Sequence, residues 1–272
     1  MNEEKNSGDS FSAYPKTAKQ VIDLRCIPQK LTGTVAEDNK IIYPNYSDAD
    51  REIWKTLYLR QTKYLPGRVC DEYLHGVELL KLNSEKIPSL KRLSAILKRT
   101  TGWTIARVPG LIDTEDFFTL LKRKTFPSTD YIRGKDELDY TPAPDLFHDI
   151  FGHLPLLTDP FFASFYQKLG EGASRASGRY LKYLETFHWF TVEFGLIKNK
   201  EGLRIYGAGI ISSISEIRHA LSLKVDIKEF DPEKIVNQVY DIRHLQPVLF
   251  VINSFEQLEE GFLTWSGKRK LF

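Results

Sequence analysis

The chain has 272 residues, 42% hydrophobic and 27% charged, a composition that excludes disordered and fibrous classes. Its 38 Lys and Arg nearly balance 36 Asp and Glu, for a net charge of +2, which leaves no electrostatic footprint for nucleic acid, and no apolar run approaches membrane-spanning length. Two cysteines, Cys26 and Cys70, are too few and too far apart for a disulfide framework or a thiolate metal site, so a reducing cytoplasm is the expected location.

Residues 1–15, MNEEKNSGDSFSAYP, are polar and lack the apolar core of a secretory signal; a disordered tail is expected there. Residues 16–46 give mixed signals, with GTVAEDNKIIYPNY reading as extended or looped. A helix is predicted from the cap candidate Ser47, burying Ile53, Trp54, Leu57, Tyr58 and Leu65 before Pro66 and Gly67 stop it. Residues 68–82 predict a second helix, and residues 89–99, with Leu90, Leu93, Ile96 and Leu97 on one stripe, a third. In VPGLIDTEDFF, residues 108–118, Pro109 and Gly110 mark a turn and Asp113 resembles a cap ahead of Phe117, Phe118, Leu120 and Leu121. Taken alone this is a turn feeding a helix. A long polar loop follows over residues 131–145; its Arg133 is either solvated or a fork suited to a carboxylate ligand.

The chemistry concentrates in TPAPDLFHDIFGHLPLL, residues 141–157. Asp145 favours a helix N-terminus, Leu146, Phe147, Ile150 and Phe151 are its apolar positions, and Pro155 ends it at about His153. His148 and His153 lie five residues apart, a rotation of roughly 140° on an ideal α-helix and poor for sharing an ion. Yet the second histidine sits between Gly152 and Pro155, where the helix must unwind and its ring can swing back. Both remain readable as ordinary helix-face histidines. The best candidate for a third ligand is Glu193 in HWFTVEFGLI, residues 188–197, flanked by apolar residues on every side. A carboxylate so placed pairs with a cation, binds a metal or takes up a proton. Two histidines and one carboxylate with open positions are the facial triad of non-haem iron(II) oxygenases, whereas a closed zinc site wants four ligands. Asp149, one turn before His153, is a rival ligand by helical spacing.

Downstream, residues 166–185 read as helix with a loop around Gly170 to Gly178. YGAGIISSISE, residues 206–216, opens with small residues that allow close packing and puts Ser212 and Glu216 on one face if helical, or in a loop-to-helix entry. VLFVI near the C-terminus suits a buried strand or a helix.

PDLFHDIFGHLPLL, WFTVEFGLI and YGAGIISSISE, together with DREIWKTLYLRQ, TGWTIARVPGLI and YIRGKDELDY in the same order, resemble the pterin-dependent aromatic amino acid hydroxylases, most closely the bacterial phenylalanine 4-hydroxylases. The resemblance spans roughly residues 40 to 260. It implies a mainly α fold: a single catalytic domain, residues 16–272, of many helices and loops with a few short β-strands around a central iron site. Animal members add a regulatory domain and a tetramerisation arm, for which this chain lacks room, so a monomer or small homodimer is expected.

The implied activity is hydroxylation of L-phenylalanine to L-tyrosine with O2 and a tetrahydropterin, such as tetrahydrobiopterin, at Fe(II) held by His148, His153 and Glu193. By the same resemblance Leu111, Ile112 and Thr114 contact the pterin through backbone, Phe117 stacks on it, and Asp149 lies beside it. Arg133 grips the amino acid carboxylate and is held by Asp145; Thr141 touches the amino acid backbone, and Trp189 walls its pocket. Ser212 supports His148 and the substrate, and Glu216 is an acid behind the site. His188 departs from the family, where Tyr or Phe is expected, and puts the hydrogen bonding beside the iron in question. A tryptophan hydroxylase of the same family, a pterin-independent iron oxygenase and a helical binding protein with satisfied core histidines are the competing readings.

Overall fold

Ser47 caps its helix as its neighbours predict: its hydroxyl accepts from the Asp50 N–H while the Asp50 carboxylate accepts from the Ser47 N–H, a reciprocal pair that fixes the start of α1 (Asp48–Thr62). The structure is a computed structural model that describes residues 23–272 apart from 34, 140 and 243; the tail expected over residues 1–15 lies outside them. Helices α2 (Asp71–Leu79) and α3 (Leu90–Thr100) follow, each close to its predicted span, and α3 buries Leu90, Leu93 and Leu97 on the expected stripe. About half of the chain is helical, with a few short strands, as expected for a mainly α protein.

Two small sheets brace the helices. The first joins β1 (Ala36–Glu37), β2 (Thr104–Arg107) and β3 (Thr125–Ser128); β1 runs antiparallel to β2, and β2 parallel to β3 with Ile105 opposite Phe126. A parallel pair needs a crossover, which α4 (Thr114–Lys122) supplies. Asp113 caps that helix by accepting from the Glu115 N–H, as predicted. The second sheet has the order β5-β4-β7-β6, from β4 (Gly195–Asn199), β5 (Gly202–Ile205), β6 (Asp226–Glu229) and β7 (Val248–Ile252). VLFVI is therefore a strand, and it is one of the two interior ones, paired on both sides, which explains its unbroken apolar run.

The loop expected around Gly170 to Gly178 is shorter than predicted, because Gly170 and Gly172 lie inside α5 (Pro160–Ala173) and only residues 174–178 separate it from α6 (Arg179–His188). A Cβ on Gly170 would stand 2.4 Å from the Lys122 amide, so that glycine serves close packing of α5 on α4 rather than a turn. Helices α7 (Ala208–Ile211) and α8 (Ile214–Ala220) come next, with Ser213 capping α8. Ser212 thus lies between two helices, so of the two arrangements open in the sequence, one helical face or a loop-to-helix entry, the second is the one found. Short α9 (Pro232–Val236) and α10 (Phe255–Gly267) complete the order. One continuous apolar cluster runs from Ile41 to Leu271 and takes in Leu146, Phe147, Ile150 and Phe151 beside the histidines.

Helix α2 meets the histidine segment at Gly76, where a Cβ would fall 2.1 Å from the Pro155 carbonyl oxygen. Alanine ordinarily favours a helix over glycine by about 0.5–1 kcal/mol, but here the clash is with backbone that cannot rotate away. Gly76→Ala is expected to lower stability by about 1–3 kcal/mol in urea denaturation, the overpacking range; a gain in stability would disprove the contact.

Candidate metal centre

His148–His153 form a π-helical turn. In such a turn the backbone bonds from i to i+5, so residues five apart fall much nearer to one face than on an α-helix. The obstacle raised by an ideal α-helix is thereby removed, though not by local unwinding at Gly152 and Pro155 as the sequence suggested: all six residues are widened, and the segment ends at His153 as predicted. Glu193 closes a second π turn, Trp189–Glu193, that continues directly from α6. The two turns bring three donor atoms together, with His148 Nε2 3.0 Å from His153 Nε2, and Glu193 oxygens 3.2 Å from His153 Nε2 and 3.7 Å from His148 Nε2. Neighbouring ligands held at about 2.1 Å from a first-row ion stand about 3 Å apart, so the set fits a cation on three adjacent positions.

Each ligand is fixed from behind. His148 Nδ1 meets Ser212 Oγ at 2.9 Å, which turns Nε2 toward the other ligands. The Phe151 carbonyl inside the turn accepts from the Tyr73 hydroxyl at 2.7 Å, and Phe147 stacks on Phe151 at 4.8 Å. Glu193 is held by its backbone: a Cβ on Gly207 would lie 2.4 Å from the Glu193 carbonyl oxygen, so the small residues of YGAG are required for the approach. Burial lowers His148 to about 4, so it is a neutral imidazole with a lone pair to give. Burial also works against the charged forms of His153 and Glu193, but their mutual attraction prevails, raising His153 and holding the Glu193 carboxyl far below the usual range.

Asp149 is no ligand. Its Oδ2 accepts from the Thr129 N–H at 2.8 Å and the Thr129 hydroxyl at 3.0 Å, and it stands outside the group of possible ligands formed by His148, His153 and Glu193. Burial pushes its carboxyl up to about 7 against those bonds. Asp145 is fully buried; burial would raise its carboxyl, but Arg133 holds it below the ordinary value through Nε at 2.9 Å and Nη2 at 2.8 Å. The same carboxylate accepts from the His148 N–H at 3.1 Å, so capping the helix and orienting Arg133 are one act. Nη1 of Arg133 has no partner among the described residues.

The sequence matches the biopterin-dependent aromatic amino acid hydroxylase family over residues 16–270. The chain belongs to that family. Phenylalanine-4-hydroxylases of Caulobacter vibrioides and Ralstonia nicotianae are 46% and 48% identical to it, over 80% and 78% of this chain and 75% and 69% of theirs. The crystal structure of Chromobacterium violaceum phenylalanine hydroxylase with bound iron(III) and 7,8-dihydrobiopterin is 43% identical and superposes with a TM-score of 0.79, covering 83% of each chain. The donor set of this hydroxylase thus fits the iron that a solved relative holds.

The remaining predicted residues gather less tightly. Leu111 and Ile112 are tied to the segment before β1: the Leu111 carbonyl accepts from the Gln29 N–H at 2.9 Å, and Ile112 pairs with Gln29 in an isolated bridge. Thr114 bonds Glu185 at 2.7 Å, and Phe117 stands perpendicular to His188 at 5.2 Å. Trp189 stacks on Tyr240 at 4.8 Å and donates to Gln246, while Thr141 bonds the nearby Ala143 carbonyl at 3.0 Å. No side-chain hydrogen bond or ion pair among the described residues joins Thr141, Trp189 or Glu216 to the three ligands. Sequence reasoning missed Thr129, Gln246 and the bond between Tyr166 and His188; all come from distant segments, and no local pattern marks them.

Two outcomes test this electrostatic layout. Arg133→Leu leaves the buried Asp145 charge without its counter-ion and is expected to cost about 3–5 kcal/mol of stability; a loss under about 1 kcal/mol would show Asp145 solvated. Burial raises Glu216 to about 7 from an ordinary 4.5. The folded protein therefore binds a proton that the unfolded chain releases, and stability falls as pH rises between those values. Glu216→Gln should remove that slope, gaining about 1–3 kcal/mol over wild type at pH 8 relative to pH 4 in paired denaturation curves.

Proposed function

We propose that the protein is a phenylalanine 4-monooxygenase, converting L-phenylalanine to L-tyrosine with O2 and a tetrahydropterin at an Fe(II) site. The observation that carries this reading is the convergence of His148, His153 and Glu193, with Ser212 orienting the first, in a chain at this level of identity to phenylalanine-4-hydroxylases. Iron bound there supplies activation of dioxygen together with the reduced pterin.

The chain's own residues bind, orient and exclude water. Among the described residues Nη1 of Arg133 has no acceptor, so the fork, fixed on Asp145, is left with one edge for the amino acid carboxylate. Thr141 and Trp189 are assigned to the same substrate, with Glu216 behind it. Leu111, Ile112, Thr114 and Phe117 are assigned to the pterin, with Asp149 nearby. The ligand turn is buried among Leu146, Phe147, Ile150 and Phe151, which keeps bulk water from one side of the centre. We assign residues 16–272 to one catalytic domain, supported by the single large apolar cluster, and a cytoplasmic monomer or small dimer as its form. No helix among the described residues is long and apolar enough to cross a membrane.

Anaerobic reconstitution with Fe(II), followed by O2, tetrahydropterin and phenylalanine, should yield tyrosine. A preference for tryptophan, read as 5-hydroxytryptophan, or turnover without pterin would replace the assignment. Glu193→Ala is expected to lose iron and abolish coupled turnover; unchanged iron affinity and rate would remove Glu193 from the ligand set.

A further inference from the structure

Tyr166 and His188 make a pair that the hydroxylation above does not use. The Tyr166 ring is fully buried, its hydroxyl lies 2.9 Å from His188 Nε2, and the two rings stack at 5.7 Å. Four other buried or half-buried phenols end on backbone carbonyls, Tyr46 on Asp130, Tyr58 on Leu82, Tyr73 on Phe151 and Tyr131 on Pro144, and the buried Tyr206 hydroxyl has no hydrogen-bond partner among the described residues. A carbonyl accepts a hydrogen bond but cannot keep the proton; an imidazole can do both. Among the described residues Tyr166 is the tyrosine whose hydroxyl proton has a base waiting for it.

The surroundings suit a transfer confined to the pair. Phe117 and Phe118 stand perpendicular to the imidazole at 5.2 and 6.3 Å, so the far side is apolar. Burial lowers His188 to about 4, which leaves Nε2 unprotonated and able to accept, in the tautomer that carries its hydrogen on Nδ1. The pair is also close to the ligands: the Glu193 charge acts on both groups. Tyr166 also stacks with the buried Trp103 at 5.6 Å and 23°. The phenol is thus in ring contact with both an imidazole and an indole, and phenol and indole are easily oxidised side chains.

We propose that Tyr166 and His188 are a proton-coupled redox pair that delivers one electron to the metal centre when its oxidant forms without phenylalanine to consume it, with Trp103 sharing the resulting hole. The inference rests on the iron-dependent reading above. In the step, the Tyr166 O–H bond breaks, the electron reduces the metal-centred oxidant by one equivalent, and the proton crosses the existing hydrogen bond to His188 Nε2. The products are a neutral phenoxyl radical and an imidazolium. An electron from tetrahydropterin, the reductant the reaction already consumes, and return of the proton restore both groups. The consequence is protection of His148 and His153 from self-oxidation during uncoupled turnover.

The test is rapid-freeze electron paramagnetic resonance on the Fe(II)-loaded protein mixed with tetrahydropterin and O2 in the absence of amino acid. A tyrosyl signal that narrows with ring-deuterated tyrosine is expected in the wild type and lost in Tyr166→Phe. It should also be lost in His188→Gln, which still accepts the phenol's hydrogen bond but cannot take its proton; melting curves confirm that both variants fold. Peptide mass spectrometry should find more oxidised His148 and His153 in the variants than in the wild type after equal exposure. Conversion of phenylalanine is measured on the same preparation. Tyrosine formation with no radical in the wild type, or a radical that survives Tyr166→Phe, overturns the inference alone; absence of both tyrosine and radical overturns the hydroxylase reading with it.

Discussion

A helical turn widened by a single residue is the constraint on which the site depends. Two imidazoles five positions apart cannot face one point on an α-helix, and they do so here because His148–His153 bond in the π register. The register is uncommon because it leaves the helix axis loosely packed, so it persists only where neighbours hold it. Tyr73 takes the Phe151 carbonyl, Asp145 takes the His148 amide, and Phe147 and Phe151 lock ring against ring. The surrounding side chains are thus the frame of an uncommon turn.

The second wide turn shows the same dependence from the other side. Glu193 arrives on a π segment that runs out of α6 straight into β4, and β4 is pinned between β5 and β7. The carboxylate is mostly shielded, 14% exposed, beside two histidines, where its charge is stabilised because they are close. Ligand geometry, sheet register and the small residues of YGAG are consequently one problem: enlarging Gly207 would move the Glu193 carbonyl before it touched the carboxylate.

Much of this was legible in the sequence, and the limits have physical causes. Caps at Ser47 and Asp113, the stripe of α3 and the helix end at His153 follow from local pattern and hold. Glu193 stood out because a charge amid aromatic residues needs a partner. The π register did not show, since residue spacing reports where apolar groups fall and not which carbonyl an amide selects. Gly170 and Gly172 were misread as a loop because a glycine that admits a neighbouring helix looks, in one dimension, like a glycine that breaks its own. Whether Ser212 and Glu216 share a helix or flank a helix start stayed open for a related reason: the helix break between α7 and α8 leaves no composition mark. The roles proposed for Leu111, Ile112, Thr114 and Thr141 rest on family resemblance, and nothing in their local chemistry would have selected them.

Asp145 has a mechanical consequence. One of its oxygens receives the guanidinium of Arg133 and the other both that guanidinium and the first amide of the ligand turn. A pull on the guanidinium is transmitted through a rigid planar carboxylate to the backbone that carries His148, over two hydrogen bonds and no flexible joint. Arrival of an anionic group at the arginine and the aim of the first imidazole are therefore geared to each other.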